Sequence, residues 1–137
     1  MAANTAPIFT LIPETQWGPN AITTANTAKD GTGTVLTIFT AGADGSYVQR
    51  VRFRPSGTAV QTVARLFINN GSPNTTASNN ILFDEITLSA ITLSETAAQP
   101  SFEIPLNFAL PAGFKLNVTI GTSVAAGYYV SAIGGDY

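Results

Sequence analysis

The sequence contains no cysteine and no histidine. The absence of cysteine excludes disulfide bonds and thiolate nucleophiles. The absence of histidine removes the commonest general base and a frequent metal ligand, so Ser-His-Asp catalysis, Cys-His catalysis and most zinc sites are excluded. We therefore expect that the protein is not an enzyme and that it carries no metal and no cofactor.

The remaining carboxylates do not form a recognisable acid pair. Asp84 and Glu85 are adjacent in the sequence. Neighbouring residues of a strand point to opposite faces, so these two cannot act together as general acid and general base. We interpret them as surface charges that lie beside Arg50, Arg52 or Arg54.

Charged residues make up only 10% of the chain, against about 25% in an average soluble protein. The net charge of -2 gives no general attraction to nucleic acid or to anionic membranes. No stretch approaches the roughly 20 apolar residues of a membrane span, and the first residues lack the basic and apolar regions of a signal peptide. We therefore expect no nucleic-acid partner, no membrane partner and synthesis in the cytoplasm. A surface with so little charge suits a protein that is packed against neighbours.

The strongest pattern that is present lies in residues 102–120, where large apolar side chains occupy nearly every second position. This period of two is typical of a β-strand with one buried face. Pro111 and Gly113 interrupt the pattern, and both residue types favour a turn. The sequence therefore predicts a β-hairpin whose buried face packs on a second sheet. The apolar residues of that face are Phe102, Ile104, Leu106, Phe108, Leu110, Phe114, Leu116, Val118 and Ile120.

Short strand patterns separated by turn residues continue along the chain. Residues 60–68 have helical spacing, but they also alternate and are followed by Asn70 and Gly71, so we predict a strand there as well. We predict an all-β fold, a single antiparallel β-sandwich of about eight strands that resembles a jelly roll, formed by residues 1–137 as one domain. The predicted strands cover residues 8–12, 34–40, 46–54, 62–69, 81–93 with a bulge or bend near Ala90, 102–110, 114–120 and 127–133.

The N-terminal segment is bounded by prolines. Pro7 and Pro13 flank a short apolar stretch, and proline cannot donate to a ladder of hydrogen bonds, so this stretch is excluded from the centre of a sheet. We interpret it as an edge strand, or residues 1–17 as an extended N-terminal arm. Residues 14–33 and 69–80 are rich in turn residues and predict long loops, the second of them exposed to solvent.

Arg50, Arg52 and Arg54 are expected to share one face of a strand, with Tyr47 and Phe53 on the opposite face. They are three of the six basic residues of the chain. Such neighbours lie roughly 7 Å apart and need counter-charges or water. They could pair with carboxylates of the same chain or with those of a neighbouring subunit. Nucleic acid is disfavoured, because the aromatic residues of this strand point the other way.

Three tyrosines near the C-terminus offer a further candidate. Tyr128, Tyr129 and Tyr137 could form a platform on which a sugar stacks. Aromatic residues in a terminal strand more often pack in a core or at an interface. Both interpretations stay open at the level of sequence.

Two C-terminal stretches resemble a known family. They read Leu110-Pro-Ala-Gly-Phe-Lys-Leu116 and Val124-Ala-Ala-Gly-Tyr-Tyr-Val-Ser-Ala-Ile-Gly-Gly-Asp-Tyr137, and they are similar to the capsid decoration, or cement, proteins of tailed bacteriophages. The resemblance covers residues 102–137. In the part of the chain before residue 102 it rests on the length of the chain, on its content of predicted strands and on a turn that ends at Gly71. It implies a β-sandwich, a homotrimer or dimer, that lies on the outside of a virion and braces neighbouring copies of the major capsid protein.

We combine the resemblance with the residue patterns to name candidate contacts. The residues expected to face the capsid or to bridge subunits are Arg50, Arg52, Arg54, Ile8, Phe9, Leu11 and Trp17. An alternative is a carbohydrate-binding or receptor-binding module of a virion fibre, which would use exposed tyrosines or Trp17.

Overall fold

The computed structural model describes residues 9–137, so Ile8, one of the expected contact residues, lies outside the described residues. The described chain forms eight β-strands and one short 3-10 helix, Ala77–Asn79. The strands are β1 (Ile12–Trp17), β2 (Leu36–Thr40), β3 (Ser46–Pro55), β4 (Thr62–Asn69), β5 (Asn80–Leu88), β6 (Phe102–Leu110), β7 (Lys115–Ile120) and β8 (Tyr128–Asp136).

The strands form two antiparallel sheets of four. Sheet A has the order β1-β8-β3-β6 and sheet B the order β2-β7-β4-β5. All named pairs are antiparallel, and most successive strands alternate between the two sheets. This order is that of a jelly roll, in which two Greek keys form two packed sheets. The predicted all-β sandwich is therefore confirmed, including the strand chosen for residues 62–69.

The predicted hairpin of residues 102–120 is wrong. Strand β6 pairs with β3 in sheet A, whereas β7 pairs with β2 and β4 in sheet B. The turn at Pro111 and Gly113 therefore connects the two sheets across the core. The prediction of one apolar face holds, since Ile104, Leu110 and Leu116 are buried between the sheets. Alternation shows which face of a strand is buried, but it does not show which strand lies beside it.

A bulge in β3 overturns a second detail. Val48 pairs with Gly134 of β8 and Arg50 with Ile133, so Gln49 has no partner in β8. Because of this extra residue, the side chains of β3 that precede Gln49 point to the opposite face from the one that simple alternation predicts. Val48 is fully buried and Tyr47 is not, so Tyr47 lies on the outer face with the arginines and not with Phe53. The bulge or bend expected near Ala90 lies instead at Phe83, where the register of β5 against β4 shifts.

Prolines, one side chain and a bulge prevent the exposed strand edges from pairing with another strand. Edge strands β1 and β6 of sheet A contain Pro13 and Pro105, which cannot donate a ladder hydrogen bond. At the edge of sheet B, the Gln16 side chain is hydrogen-bonded to the backbone of β2. Its Nε2 donates to the Thr40 carbonyl at 3.0 Å, and its Oε1 accepts from the Thr40 N–H at 2.9 Å. Strand β5 carries the bulge at Phe83. These devices oppose pairing of an edge with another chain.

A loop of residues 26–34 begins at the edge of sheet B. The Asn26 N–H donates to the Ile120 carbonyl at 2.8 Å. The Asn26 side-chain Nδ2 then donates to the carbonyls of Thr32 at 2.9 Å and Thr34 at 2.8 Å, which brings the two ends of the loop together. This is the geometry of a closed surface loop whose own side chains hold it.

The far end of the same loop reaches the opposite edge of sheet B. The Asn80 Nδ2 donates to the Asp30 carbonyl at 3.1 Å, and Asn80 opens β5. Phe67 lies opposite Asn117 on the outer face of sheet B, yet it is 0% exposed and lies outside the hydrophobic core between the sheets. The loop therefore extends from Ile120 of β7 to Asn80 of β5, and we infer that it covers Phe67 on the outer face of sheet B.

Candidate interaction face

The outer face of sheet A collects the candidate residues from three strands. Trp17 of β1 lies opposite Ser131 of β8, and Ser131 lies opposite Arg52 of β3. Tyr129 of β8 lies opposite Arg54. Directly opposed residues of an antiparallel pair share a face, and neighbouring strands lie about 4.8 Å apart, so Trp17 and Arg52 share this face at a backbone separation of about 10 Å. We call the surface formed by Trp17, Tyr129, Arg50, Arg52 and Arg54 the Arg-aromatic face.

The aromatic residues of this face are unusually open to solvent. Trp17 is 68% exposed and Tyr129 is 58% exposed. The side chains of Arg50 and Arg52 are 41% and 43% exposed. Tryptophan, tyrosine and arginine are the residues that are enriched at protein interfaces and that dominate their binding energy. Their concentration on one sheet face is typical of a surface that binds another macromolecule.

One carboxylate serves two of the three arginines. Glu103 Oε2 lies 3.5 Å from Arg50 Nη1 and its Oε1 lies 3.9 Å from Arg52 Nε. Arg54 Nη1 donates instead to the Gln99 carbonyl at 2.9 Å, and it forms no ion pair with any described carboxylate. Long, solvent-exposed ion pairs of this kind contribute about 0 to 1 kcal/mol. The face therefore keeps an excess of positive charge that its own chain does not neutralise.

The expected place of Asp84 and Glu85 beside these arginines is wrong. Both residues lie on β5, an edge strand of sheet B. Glu85 Oε2 pairs with Arg65 Nε at 3.3 Å, within the same sheet. The sequence did not indicate that β5 and β3 belong to different sheets, so it could not assign the partner.

Apolar N-terminal residues adjoin the Arg-aromatic face. Phe9 and Leu11 are 72% and 80% exposed, and the Leu11 N–H donates to the Asp136 carbonyl at 2.8 Å. Phe9 lines a recess of about 260 Å³ together with Thr10, Tyr47 and Tyr137. Because Tyr47 lies on the outer face of sheet A, Phe9 extends the aromatic surface toward one end of this sheet. Of the seven candidate contacts, the structure thus brings Phe9, Trp17 and the three arginines to one side of the molecule.

Two residues of this surface were not assigned to it from the sequence. Tyr47 was expected on the face of β3 opposite the arginines, and the bulge at Gln49 places it on their face. Tyr128 and Tyr129 are neighbours on β8, so one of them must point inward and one outward. Tyr128 is 0% exposed and Tyr129 is 58% exposed, a choice that depends on the register of β8 and that the dipeptide alone does not reveal.

Burial has a chemical consequence at Tyr128. The loss of solvent raises the pKa of the Tyr128 hydroxyl, and this hydroxyl has no hydrogen-bond partner among the described residues. At the tip of the 26–34 loop, the Thr32 hydroxyl and the Thr32 N–H both donate to Asp30 and lower the pKa of its carboxyl group. Neither group lies on the Arg-aromatic face, so the charge of this face does not depend on the protonation of Tyr128 or Asp30.

Within residues 9–137, no cluster of three or more acidic side chains is placed to hold a metal ion. No helix in the described part of the chain is long and apolar enough to cross a membrane. Comparison of the chain with protein-family models, with curated proteins and with solved structures found no match.

Proposed function

We propose that this chain is a structural protein of a phage virion that binds the outer surface of the capsid and stabilises the contacts between major capsid subunits. The observation that carries the proposal is the Arg-aromatic face, in which Trp17, Tyr129 and three arginines share one side of sheet A. The resemblance of residues 102–137 to capsid decoration proteins supplies the biological setting. The jelly roll supports the proposal as a rigid, two-layered scaffold for such a face.

The size of the face supports a protein partner. Strand β3 has 10 residues, which extend roughly 33 Å, and four strands spaced about 4.8 Å apart span roughly 15 to 19 Å. The face therefore presents on the order of 500 to 600 Å², before side-chain relief and the apolar residues near Phe9 are added. One partner of a standard protein interface buries about 800 Å². A single capsid subunit, or the junction of two, is a partner of suitable size.

The charge of the face supports acidic groups on the capsid as the contact. Arginine binds carboxylates with two parallel hydrogen bonds, and these bonds strengthen when the partner excludes water. A protein that binds only the assembled shell stabilises it by RT ln(1 + [L]/Kd) at each site, about 2.7 kcal/mol when the free protein is at a hundredfold excess over Kd. Many sites on one shell then add their contributions.

We further propose that the protein acts as a homotrimer or dimer. The strand edges of both sheets carry prolines, a bulge or the Gln16 side chain, so copies would meet through faces or through the N-terminal segment and not by extending a sheet. Light scattering after size exclusion, over a dilution series, measures this. A mass of two or three chains that persists on dilution supports it, and a strict monomer on and off the shell contradicts it.

The test of the proposed function is binding to capsids of the phage that encodes the chain. We expect the variant Arg50→Ser/Arg52→Ser/Arg54→Ser to co-sediment with these capsids at least tenfold more weakly and with less dependence on salt. The matched control is Arg50→Lys/Arg52→Lys/Arg54→Lys, which keeps the charge and loses the paired hydrogen bonds, so it should retain the salt dependence. Unchanged binding and salt dependence of the serine variant would contradict the proposal.

An alternative function uses the same aromatic residues. The exposure of Trp17 and Tyr129 also suits stacking against sugar rings, as in a carbohydrate-binding or receptor-binding module of a virion fibre. A glycan array distinguishes the two. Binding to a glycan that is lost in Trp17→Ala, without any binding to capsids, would favour the fibre module.

A further inference from the structure

A polar recess of about 210 Å³ opens on the outer face of sheet B. Its lining contains one basic residue and no acidic residue: Thr37, Asn69, Gly71, Ser72, Pro73, Asn74, Lys115 and Asn117. Sites for drug-sized ligands measure about 300 to 1,000 Å³. The recess is smaller than these and matches a ligand of about the size of a single sugar ring.

A buried amide supplies an unused donor at the base of this recess. Asn117 is 3% exposed, and its Oδ1 accepts a hydrogen bond from the Thr37 hydroxyl at 2.7 Å. Its Nδ2 donates to no described residue, and it is not among the unpartnered side-chain atoms that are sealed from solvent. Because Asn117 lines the recess, its Nδ2 is a donor that solvent reaches there and from which a ligand oxygen can accept in place of water.

Lys115 adds a positive charge at the rim. It lies two residues from Asn117 on the same face of β7, and it forms no ion pair with a described carboxylate. The recess thus offers three N–H donors of the Lys115 ammonium group and two of the Asn117 side-chain amide. Its hydroxyl groups, such as those of Thr37 and Ser72, are acceptors without charge. This excess of donors and of positive charge suits a ligand that bears both hydroxyl groups and an acid group.

The walls of the recess are held by asparagine side chains without any ligand. Asn69 Nδ2 donates to Asn80 Oδ1 at 2.7 Å, and Asn69 Oδ1 accepts from the Gly71 N–H at 2.8 Å. Asn74 Nδ2 donates to the carbonyls of Gly31 at 3.0 Å and Gly33 at 2.9 Å. The loop that was expected to be merely exposed is therefore tied to the sheet and to the 26–34 loop. A site that is rigid before binding loses less entropy when the ligand arrives.

We propose that this recess binds a monosaccharide that carries a carboxylate, such as a hexuronic acid. Lys115 pairs with the carboxylate and Asn117 donates to a ring or hydroxyl oxygen. The Thr37 hydroxyl, whose hydrogen is donated to Asn117, accepts from a sugar hydroxyl, and the Ser72 hydroxyl donates to or accepts from another. The site lies on the sheet opposite to the Arg-aromatic face, and it does not depend on the proposed capsid binding. The protein would thus bind capsid with one sheet and an acidic glycan of the surroundings with the other.

The test is a titration of ¹⁵N-labelled protein with sodium glucuronate, followed through the side-chain amide signals of Asn117. We expect a saturable shift of these signals, and binding of uncharged glucose at least tenfold weaker, because a hydrogen bond to a charged group contributes about 1.5 to 3 kcal/mol. Lys115→Gln should weaken glucuronate binding by the same factor. Lys29→Gln, which removes an exposed lysine outside the recess, should leave it unchanged, and the backbone signals report that each variant folds.

Four outcomes would overturn the inference. The absence of any saturable shift with glucuronate would show that the recess binds no such ligand. Equal affinity for glucose and glucuronate, or no effect of Lys115→Gln, would remove the role of the charge. The same affinity for sodium acetate as for glucuronate would show an adventitious ion only. None of these results bears on capsid binding, so the two proposals fail independently.

Discussion

Truncation of Phe67 tests whether the 26–34 loop covers sheet B. Phe67 lies on the outer face of this sheet, where an ordinary sandwich would expose it to water, yet it is 0% exposed. Phe67→Ala therefore removes a fully buried ring and leaves a cavity between the loop and the sheet. Buried Phe→Ala substitutions cost about 3 to 5 kcal/mol, which is a large part of the 5 to 15 kcal/mol that stabilises a typical domain.

Phe83 provides the matched control for this substitution. It lies on β5 of the same sheet but is 45% exposed, with its ring centroid 5.0 Å from that of Phe108. Because about half of the Phe83 side chain is still in contact with water, folding gains only about half of the free energy of its burial. Phe83→Ala should therefore cost roughly 1 to 2 kcal/mol. Urea unfolding measures both values, and far-UV circular dichroism is the suitable probe because Trp17, the only tryptophan, is largely exposed in the folded protein.

A double-mutant cycle then identifies the loop as the cause. Asn26→Ala removes the side chain that closes the loop through Thr32 and Thr34. If the loop covers Phe67, the two substitutions should not be additive, because a loosened loop leaves less burial for Phe67→Ala to remove. A cost for Phe67→Ala no greater than that for Phe83→Ala, or strict additivity with Asn26→Ala, would refute the assignment of the loop.

Two further predictions concern the core and the bulge. Burial raises the pKa of Tyr128 above the unfolded value of about 10, so the folded protein holds this proton to higher pH, and the contribution of Tyr128 to stability should be constant below pH 10 and fall as the pH rises above it. Tyr128→Phe removes the unpartnered hydroxyl and should leave stability at pH 7 unchanged or higher; urea unfolding at pH 8, 10 and 11 should show a smaller alkaline loss in the variant, and an equal loss would contradict the prediction. Gly134 lies opposite Val48 at the bulge, where an added Cβ would collide with the Tyr47 carbonyl oxygen, so Gly134→Ala should cost about 3 kcal/mol. Gly113→Ala, at φ 75° with no atom within 4 Å of the added Cβ, should cost about 1 to 2 kcal/mol, and the reverse order of the two melting temperatures would contradict the account.

The sequence predicted local features of the fold well, because they depend on one strand at a time. The alternation of residues 102–110 correctly placed Ile104 and Leu110 in the core. The grouping of Arg50, Arg52 and Arg54 on one face was also readable from a period of two. The pairing of β6 with β3, and not with β7, depends on contacts far apart in the chain, and a turn between two apolar strands fits either arrangement.

The rest of the candidate sites needed the three-dimensional register. Trp17 joins the arginines because β8 lies between β1 and β3, and no local pattern indicates that neighbour. Tyr47 joins them because Gln49 is bulged. The recess at Asn117 and Lys115 depends on asparagines of the 70–80 loop that tie it to residues some 40 positions earlier. As a sequence, that loop shows only turn-forming residues.

Hydroxyl-radical footprinting of the protein, free and bound to capsids, shows whether the Arg-aromatic face is covered on the shell. Trp17 and Tyr129 are exposed in the free protein, and we expect their oxidation to fall sharply on the shell. Phe83, on the other sheet and 45% exposed, should be oxidised at the same rate in both states. Oxidation of Trp17 and Tyr129 at the free rate in protein that is demonstrably bound to capsids would contradict the assignment of the Arg-aromatic face.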